Sequence, residues 1–526
     1  MRTTTNTSRR SFLQAMTAAA AGAGLSGFAA ASGAAELKAP AKWDMTTDVL
    51  VAGSGIAGMS AAITAIDLGA QVLVCEKGAN YGGAAIINGG IIALRGGTRF
   101  QQENGEKDSP EALYAHLTNP KNIEYRKNDP KLVARYSRMC GPTQVWLEEH
   151  GVKFLNTSTK AGKYDSQHKE SYLHIYSPDR GDGNGARQLK GGFRTGRGIM
   201  VPFKNYFEGK GGKILLEHKV TDVYKDDKGR VIGARVETAS GVINIRAKKG
   251  VVLAGGGWKA NPELRVITDP RFTPDMPATG YPFFAPDGSA ILAGLKAGGM
   301  YLGDRGEDTA HLRRMFGTNR YGFPKGSKYG CPGIGVKGPR WADVIFVNKE
   351  GVRFVREEDK SDLGGYNFYD MALVQPEKKI WCIFDDAAAK KNHWDTTYPT
   401  CEKGFAFDAA TIEELADKLG APELTKTVAR FNDFCKAGKD EDFEKPADML
   451  RPIAQGPFHA VQVVLFVHNL TGGLRINENA QVLDIMGKPI EGLYAAGETA
   501  GGLYVGNGMP RAIMPGRFAG EHAAKS

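Results

Sequence analysis

The sequence predicts an α/β fold, a mostly parallel sheet with helices on its faces, interrupted by an inserted segment of α+β texture. Three observations predict it. Residues 48–76 read as strand, glycine turn, helix and strand. Two further apolar strands run into glycine-rich turns at 250–257 and 492–498, far apart along the chain. Between 305 and 468 the composition shifts toward aromatic and charged residues, with helical spacing over 410–437.

The first unit carries the strongest local signal. Asp48-Val49-Leu50-Val51-Ala52 is a run of buried-strand type, and Gly53-Ser54-Gly55-Ile56-Ala57-Gly58 follows as G-x-G-x-x-G. An amphipathic helix over 56–68 and the strand Gln71-Val72-Leu73-Val74-Cys75-Glu76 complete it. Gly53 permits the tight turn and Gly55 lets the backbone approach a pyrophosphate. Gly58 lets helix and strand pack closely, so that the helix N-terminus, at Ile56 and Ala57, faces the phosphates. Glu76, followed by Lys77, closes the second strand at the spacing where a carboxylate accepts hydrogen bonds from a ribose.

A glycine-rich stretch over 82–97 comes next, with Gly82, Gly83, Ala84, Asn88, Gly89 and Gly90, followed by a polar helical region over 109–150. Residues 213–254 read as successive strands, the last ending in Ala254-Gly255-Gly256-Gly257-Trp258. In the inserted segment Ile412, Leu415, Leu419, Leu424, Val428 and Phe431 recur at helical spacing. Strands over 480–482 and 492–496 and a C-terminal helix close the chain.

Bulk properties exclude several classes. A chain of 526 residues with 42% hydrophobic and 24% charged content builds a large core in more than one domain. The net charge of +10 is spread without a dense basic stripe, so nucleic acid is not an expected partner. The six cysteines show neither zinc-ligand spacing, C-x-x-C-H haem attachment nor an iron–sulfur cluster, so no metal site is expected. A disulfide such as Cys382–Cys401 suits an oxidising compartment, but buried free thiols are the expectation. Residues 1–35 have the form of a twin-arginine signal peptide: Arg9-Arg10 precedes an alanine-rich stretch and small residues near 32–35. That stretch is too rich in alanine and glycine for a membrane anchor, so a periplasmic chain without stable membrane insertion is expected.

The motifs occur in the order found in flavoproteins of the fumarate reductase and succinate dehydrogenase family, which the chain resembles over essentially all of its length beyond the leader. Gly492-Leu493-Tyr494-Ala495-Ala496-Gly497-Glu498 is the family's G-L-Y-A-A-G-E, Ala254-Gly255-Gly256-Gly257 is similar to its A-T-G-G, and residues 82–90 resemble its loop along the flavin. The resemblance implies a Rossmann-like FAD-binding domain of glutathione-reductase type in two parts, 45–304 and 469–526, with an inserted α+β capping domain over 305–468. FAD is expected to be held non-covalently, since no histidine-attachment signal is present. Its contacts are expected from the glycine clusters above and from Gly472, Gly473, Gly497, Glu498 and Gly508.

At the substrate side the pattern departs from the family. His468-Asn469-Leu470-Thr471-Gly472-Gly473 resembles H-H-T-M-G-G, with His468 in place of the substrate histidine, and His311 lies near the place of a second one. Residues 347–355 resemble V-N-x-x-G-x-R-F-V; counting from there, the proton-donating arginine falls at Ser361, and the relay's arginine and glutamate fall at Arg340 and Lys337. Residues 501–508 resemble G-G-V-H-G-A-N-R, with Gly508 where the carboxylate-clamping arginine stands and Arg511 three residues on. A dicarboxylate without fixed guanidinium partners is poorly bound, which argues against fumarate itself. Tyr504-x-Gly506-x-Gly508 is also similar to the Y-x-G-x-G of 3-ketosteroid dehydrogenases, whose tyrosine hydroxyl holds a ketone oxygen.

The expected activity is therefore a periplasmic reductase that passes hydride from flavin N5 to a C=C bond conjugated to a carboxylate or carbonyl. His468 and Tyr504, with Arg511 and Arg340, are expected to polarise the acceptor, an unsaturated acid or enone. Tyr366, Tyr369 and Arg356 stand nearest in sequence to the vacated proton-donor position. Phe283, Phe284, Tyr366, Phe368 and Tyr369 offer an aromatic lining or, as is commoner for aromatics in a cap, belong to its core. One alternative is a ketosteroid-type dehydrogenase that introduces a C=C bond beside a ketone. The other is a non-catalytic flavin electron-transfer protein. With no redox centre besides the flavin, electrons are expected from a separate periplasmic cytochrome c.

Overall fold

Apolar runs bounded by glycine form the central sheet. A computed structural model describes residues 37, 39–121, 128–158, 171–178, 187–189, 192–268, 270–274, 276, 286–302, 316–317, 338–357, 368–394, 396, 406–463, 466–467, 472–505 and 508–526. In it, Lys213–Leu215, Val72–Cys75, Met45–Ala52, Gly241–Leu253 and Pro489–Ala495 lie side by side as parallel strands, in that order. Val49, Leu50, Val51, Val74, Val251, Val252 and Leu253 are fully buried, as parallel strands covered on both faces require. The 13-residue strand Gly241–Leu253 serves two pairings. Its first half pairs antiparallel with Val231–Thr238, while its second half runs parallel to Met45–Ala52 and Pro489–Ala495.

The helix Ile56–Asp67 packs on this sheet, and the C-terminal helix Gly508–Lys525 packs on that helix. Two glycines allow the close approach: a Cβ on Gly516 would lie 2.3 Å from the Ala57 carbonyl oxygen, and one on Gly520 2.2 Å from that of Ala61. The polar helical region resolves into Pro110–Leu117 and Pro130–Glu149, each with proline at its first position behind a Ser109 or Asp129 cap. A five-stranded sheet built from Ile91–Leu94 and four short strands within 154–194 has no counterpart in the sequence reading.

Residues 345–463 build a separate antiparallel sheet in the order Ile345–Asn348, Ile380–Asp385, Phe458–Val463, Ala406–Ala409. Its strands alternate strictly. Ile345, Val347, Trp381, Ile383 and Ala460 face the helices Ile412–Leu419 and Leu424–Ala437. Phe346, Cys382, Phe384, Val461 and Val463 face a second core shared with Trp258, Phe272 and Ile291 of the flanking chain. The single helical pattern over 410–437 is broken at Gly420, which takes φ 63° and ends the first helix in the left-handed conformation.

Cys382 is a free thiol, fully buried, as expected; Cys401 lies outside the described residues. Phe368 packs into the core against Phe346 at 4.7 Å and Trp341 at 5.3 Å rather than lining a pocket, because it sits on the face of Phe368–Leu373 turned to the antiparallel sheet. Burial also pushes the Cys75 and Cys140 thiols up to about 12, which leaves them unreactive.

Candidate active site

The crevice at the carboxyl ends of the parallel strands is fixed by strand register. Leu215 pairs with Cys75, Cys75 with Ala52, Ala52 with Leu253, and Leu253 with Ala495, so five strands end in one row. Backbone bonds extend the row by one residue: Gly53 N–H donates to the Cys75 carbonyl at 2.7 Å, Ala254 to Ala52 at 2.8 Å, and Ala496 to Leu253 at 3.0 Å. Three glycine clusters, at 53–58, 255–257 and 497, thereby leave the sheet at one edge, the place where open α/β sheets bind ligands.

Contacts divide the glycines by task. Gly53 takes φ 104°, and a Cβ there would stand 2.4 Å from the Ala254 carbonyl oxygen; on Gly58 it would stand 1.9 Å from the Gly53 oxygen. Those two hold strand and helix together. A Cβ on Gly55 would meet nothing within 4 Å, so that glycine faces open space. Gly497 lies over the first turn of the helix, 2.9 Å from the Ala57 Cβ by the same measure, and Gly83 lies 3.5 Å from the Gly55 Cα. Ala57, Ala254 and Ala496 form a small cluster of their own, with Ala512 packed on it.

These residues fit FAD. The helix Ile56–Asp67 begins with no side-chain cap and no acid in its first turn, leaving its N-terminal amides for an anionic diphosphate. Glu76 ends the second strand with its carboxylate fixed by Ser54 N–H at 2.9 Å, Ser54 Oγ at 2.7 Å and Gly78 N–H at 2.8 Å. Lys77 pairs with Asp287 at 3.0 Å, which Lys219 also holds at 2.9 Å. Burial opposes ionisation of Asp287, but the hydrogen bonds from both lysines and from Ser289 N–H outweigh it and keep the carboxyl well below its usual range.

Within the flavin loop Gly82 and Gly83 have positive φ, Ala84 is exposed, and Gly89 is half-buried. Asn88 folds the loop on itself, donating to the Ala85 carbonyl at 2.7 Å and accepting from Gly90 N–H at 2.6 Å. Across the crevice, Gly255 packs on Ala290, the Gly256 carbonyl accepts from Thr499 Oγ1 at 3.0 Å, and Glu498 stands 4.0 Å from the buried Lys259 amine.

A three-stranded sheet joins this crevice to the substrate motifs. Gly473–Arg475 pairs antiparallel with Tyr301–Leu302 and parallel with Ala500–Gly501. A Cβ on Gly473 would lie 2.6 Å from the Thr499 carbonyl oxygen, so the buried Gly472-Gly473 pair seats on the segment that leads from Glu498 to Tyr504. Tyr504 is 1% exposed and Arg511, in the first turns of the C-terminal helix, is 7% exposed. Gly508 starts that helix.

His468, His311, Lys337, Ser361, Tyr366, Phe283, Phe284 and Gly506 lie outside the described residues, as do the side chains of Arg340 and Tyr369. The backbone of Arg340 belongs to the 3-10 turn Gly338–Asp343, and that of Tyr369 to the helix Phe368–Leu373. Arg356 is half-buried.

Sequence reasoning missed a buried charge network that anchors both ends of this part of the cap. Arg353 bonds Glu357 at 2.7 and 3.1 Å and Asp440 at 2.9 and 3.3 Å. Lys445 donates to the carbonyls of Trp341 and Val344 at 3.0 and 2.9 Å and lies 3.6 Å from Glu357. The R-F-V motif was visible, but its partner Asp440 is 87 residues away.

Comparison with known proteins agrees with this geometry. The family model described as FAD binding domain matches residues 48–509. The chain is 31% identical over 501 residues to a fumarate reductase (cytochrome) of Shewanella frigidimarina, covering 91% of this chain and 77% of that protein. It is 30% identical over 492 residues to an NADH:fumarate oxidoreductase of Klebsiella pneumoniae, covering 91% of this chain; it spans about half that relative's length, 48%. Among solved structures, a 3-ketosteroid-delta4-(5alpha)-dehydrogenase from Rhodococcus jostii, in complex with 4-androstene-3,17-dione, superposes with a TM-score of 0.68 at 25% identity, over 93% of this chain and 100% of that one.

Proposed function

The chain belongs to the FAD binding domain family and is an FAD-dependent oxidoreductase, and from that premise we propose that it reduces C=C bonds conjugated to a carboxylate or carbonyl. One observation carries this reading. The glycine pair after His468 and the strand before Tyr504 are paired in one sheet that abuts the FAD crevice through Glu498 and Thr499.

When bound, FAD supplies the hydride for one carbon of the double bond. Negative charge then grows on the carbonyl-bearing end, and donors aimed at that oxygen lower the barrier most where water is excluded. Tyr504 and Arg511, both buried, act as those donors, with His468 and Arg340 completing the set. Arg511 supplies a guanidinium near the place where Gly508 leaves none. A cap tyrosine, Tyr366 or Tyr369, protonates the second carbon, since a phenol gives a proton without a buried charge beforehand. With Gly508 lacking a clamp for a second carboxylate, the substrate is a monocarboxylate enoate or enone rather than fumarate.

FAD is bound non-covalently, the chain is exported to the periplasm by its twin-arginine leader, and a separate cytochrome c delivers electrons. The leader and the missing haem motif support this. Among the described residues no helix is long and apolar enough to cross a membrane.

A second reading, a dehydrogenase acting beside a ketone, is favoured by Tyr504-x-Gly506-x-Gly508 and the likeness to the ketosteroid dehydrogenase. Oxidation of a reduced viologen dye by a panel of enoates and enones, run against reduction of an oxidised dye by saturated ketones, separates the two. Turnover in the first assay is expected. Turnover in the second alone overturns the reductase reading, and silence in both leaves the electron-transfer alternative.

A further inference from the structure

We propose that Asn128 is the positioning residue of Tyr504, an inference that rests on the role given to Tyr504 above. Asn128 is 376 residues away in sequence and 7% exposed. Its Oδ1 accepts the Tyr504 N–H at 2.7 Å, and its Nδ2 donates to the Tyr504 carbonyl at 2.9 Å. The same Nδ2 donates to the Leu117 carbonyl at 2.9 Å. One side-chain amide thus pairs with both backbone groups of a single residue, as a neighbouring strand does. The orientation is unambiguous, because Oδ1 meets an N–H while Nδ2 meets two carbonyls.

Tyr504 needs such a partner. The pairing of Ala500–Gly501 with Gly473–Arg475 has ended before it, and the helix Gly508–Lys525 has not begun. No regular ladder holds the backbone over 503–505. Asn128 is itself held firmly. The next residue, Asp129, caps the helix Pro130–Glu149 through Lys131 N–H and Leu132 N–H. That helix is tied to the C-terminal helix by Arg135 to Glu521 at 2.6 Å and Arg517 to Thr143 at 2.6 Å. A phenol that acts on a substrate oxygen must be placed to within a few tenths of an ångström, and this amide fixes the backbone from which the phenol projects.

The test uses the FAD-loaded enzyme with the best acceptor from the dye assay, comparing Asn128→Asp, Asn128→Ala, Tyr504→Phe and the double variant Asn128→Asp/Tyr504→Phe. Aspartate keeps the acceptor but sets a carboxylate oxygen against two carbonyls. Tyr504→Phe is expected to lower kcat about 100-fold, and Asn128→Asp roughly 10-fold or more at nearly unchanged KM. Flavin content should stay close to that of the parent while the melting temperature falls, because the buried carboxylate faces two carbonyls, and in kcat per bound flavin the double variant should fall no further than Tyr504→Phe. If the two losses multiply, or if Asn128→Asp and Asn128→Ala lower only melting temperature and flavin content while kcat per bound flavin holds, the inference about Asn128 is overturned. If Tyr504→Phe leaves kcat intact, the role of Tyr504 fails first and takes the inference with it.

Discussion

At the scale of single residues, three glycines of one motif divide between two tasks. Gly53 and Gly58 are needed by the protein's own backbone, with a Cβ meeting carbonyl oxygens at 2.4 and 1.9 Å, whereas one on Gly55 meets nothing. Gly58→Ala should therefore lower apoprotein stability by about 1–3 kcal/mol or more. Gly55 has φ −66°, ψ 179°, a conformation any residue adopts, so Gly55→Ala should leave the apoprotein's melting temperature within about 2 °C of the parent. Its FAD affinity should fall at least about 10-fold, because the methyl occupies the diphosphate's path. Calorimetry of the apoproteins and fluorescence titration with FAD check both; equal destabilisation by the two changes counts against the assignment. The motif itself was legible, since each glycine answers to a local backbone demand. The tether of Lys77 to Asp287 and the hold of Asn128 on Tyr504 were not, because nothing local to either residue encodes a partner 210 or 376 positions away.

At the scale of elements, the antiparallel sheet of the cap is strung on charges that sequence texture reported only as polarity. Glu357, Asp440 and Lys445 have fully buried side chains, and burial pulls the Lys445 amine below its usual range. Lys445→Met removes one partner and leaves the carboxylates short of positive charge, at an expected cost of about 3–5 kcal/mol, readable as a lower urea midpoint. The strand Phe458–Val463 carries a second burden. His459 is 3% exposed, stacked on Phe384 at 5.1 Å, and neither ring nitrogen has a hydrogen-bond partner among the described residues. Burial lowers its pKa below 6.5, against the weaker pull of Asp408, Asp386 and Asp385. The unfolded imidazole then takes up a proton at a higher pH than the folded one, so stability is full above about pH 6.5 and declines as pH falls below it. His459→Phe should shrink the difference in urea midpoint between pH 7.5 and pH 5.5, and an undiminished difference speaks against this account. Helical spacing announced helix over 410–437 correctly, but the break at Gly420 was hidden because apolar positions on both sides point to one face.

At the scale of the whole molecule, one ligand joins pieces of chain separated by hundreds of residues. Strand register brings the turns after Ala52, Leu253 and Ala495 to one edge, where the proposed FAD site spans all three. Adding FAD to the apoprotein at 100 times its Kd should stabilise the fold by about 2.7 kcal/mol, seen as a rise in melting temperature; a colourless protein with no such rise removes the cofactor assignment. By itself the sequence determined the parallel α/β framework, the glycine clusters and the family. Strand periodicity and tight-turn stereochemistry are local requirements, written in consecutive residues. Only the tertiary structure decided which carboxylates face which cations, that Phe368 is core, and that an asparagine ahead of a helix grips the backbone of Tyr504. Those outcomes depend on distance in space, and a chain reports distance in space only once its sheets have fixed their register.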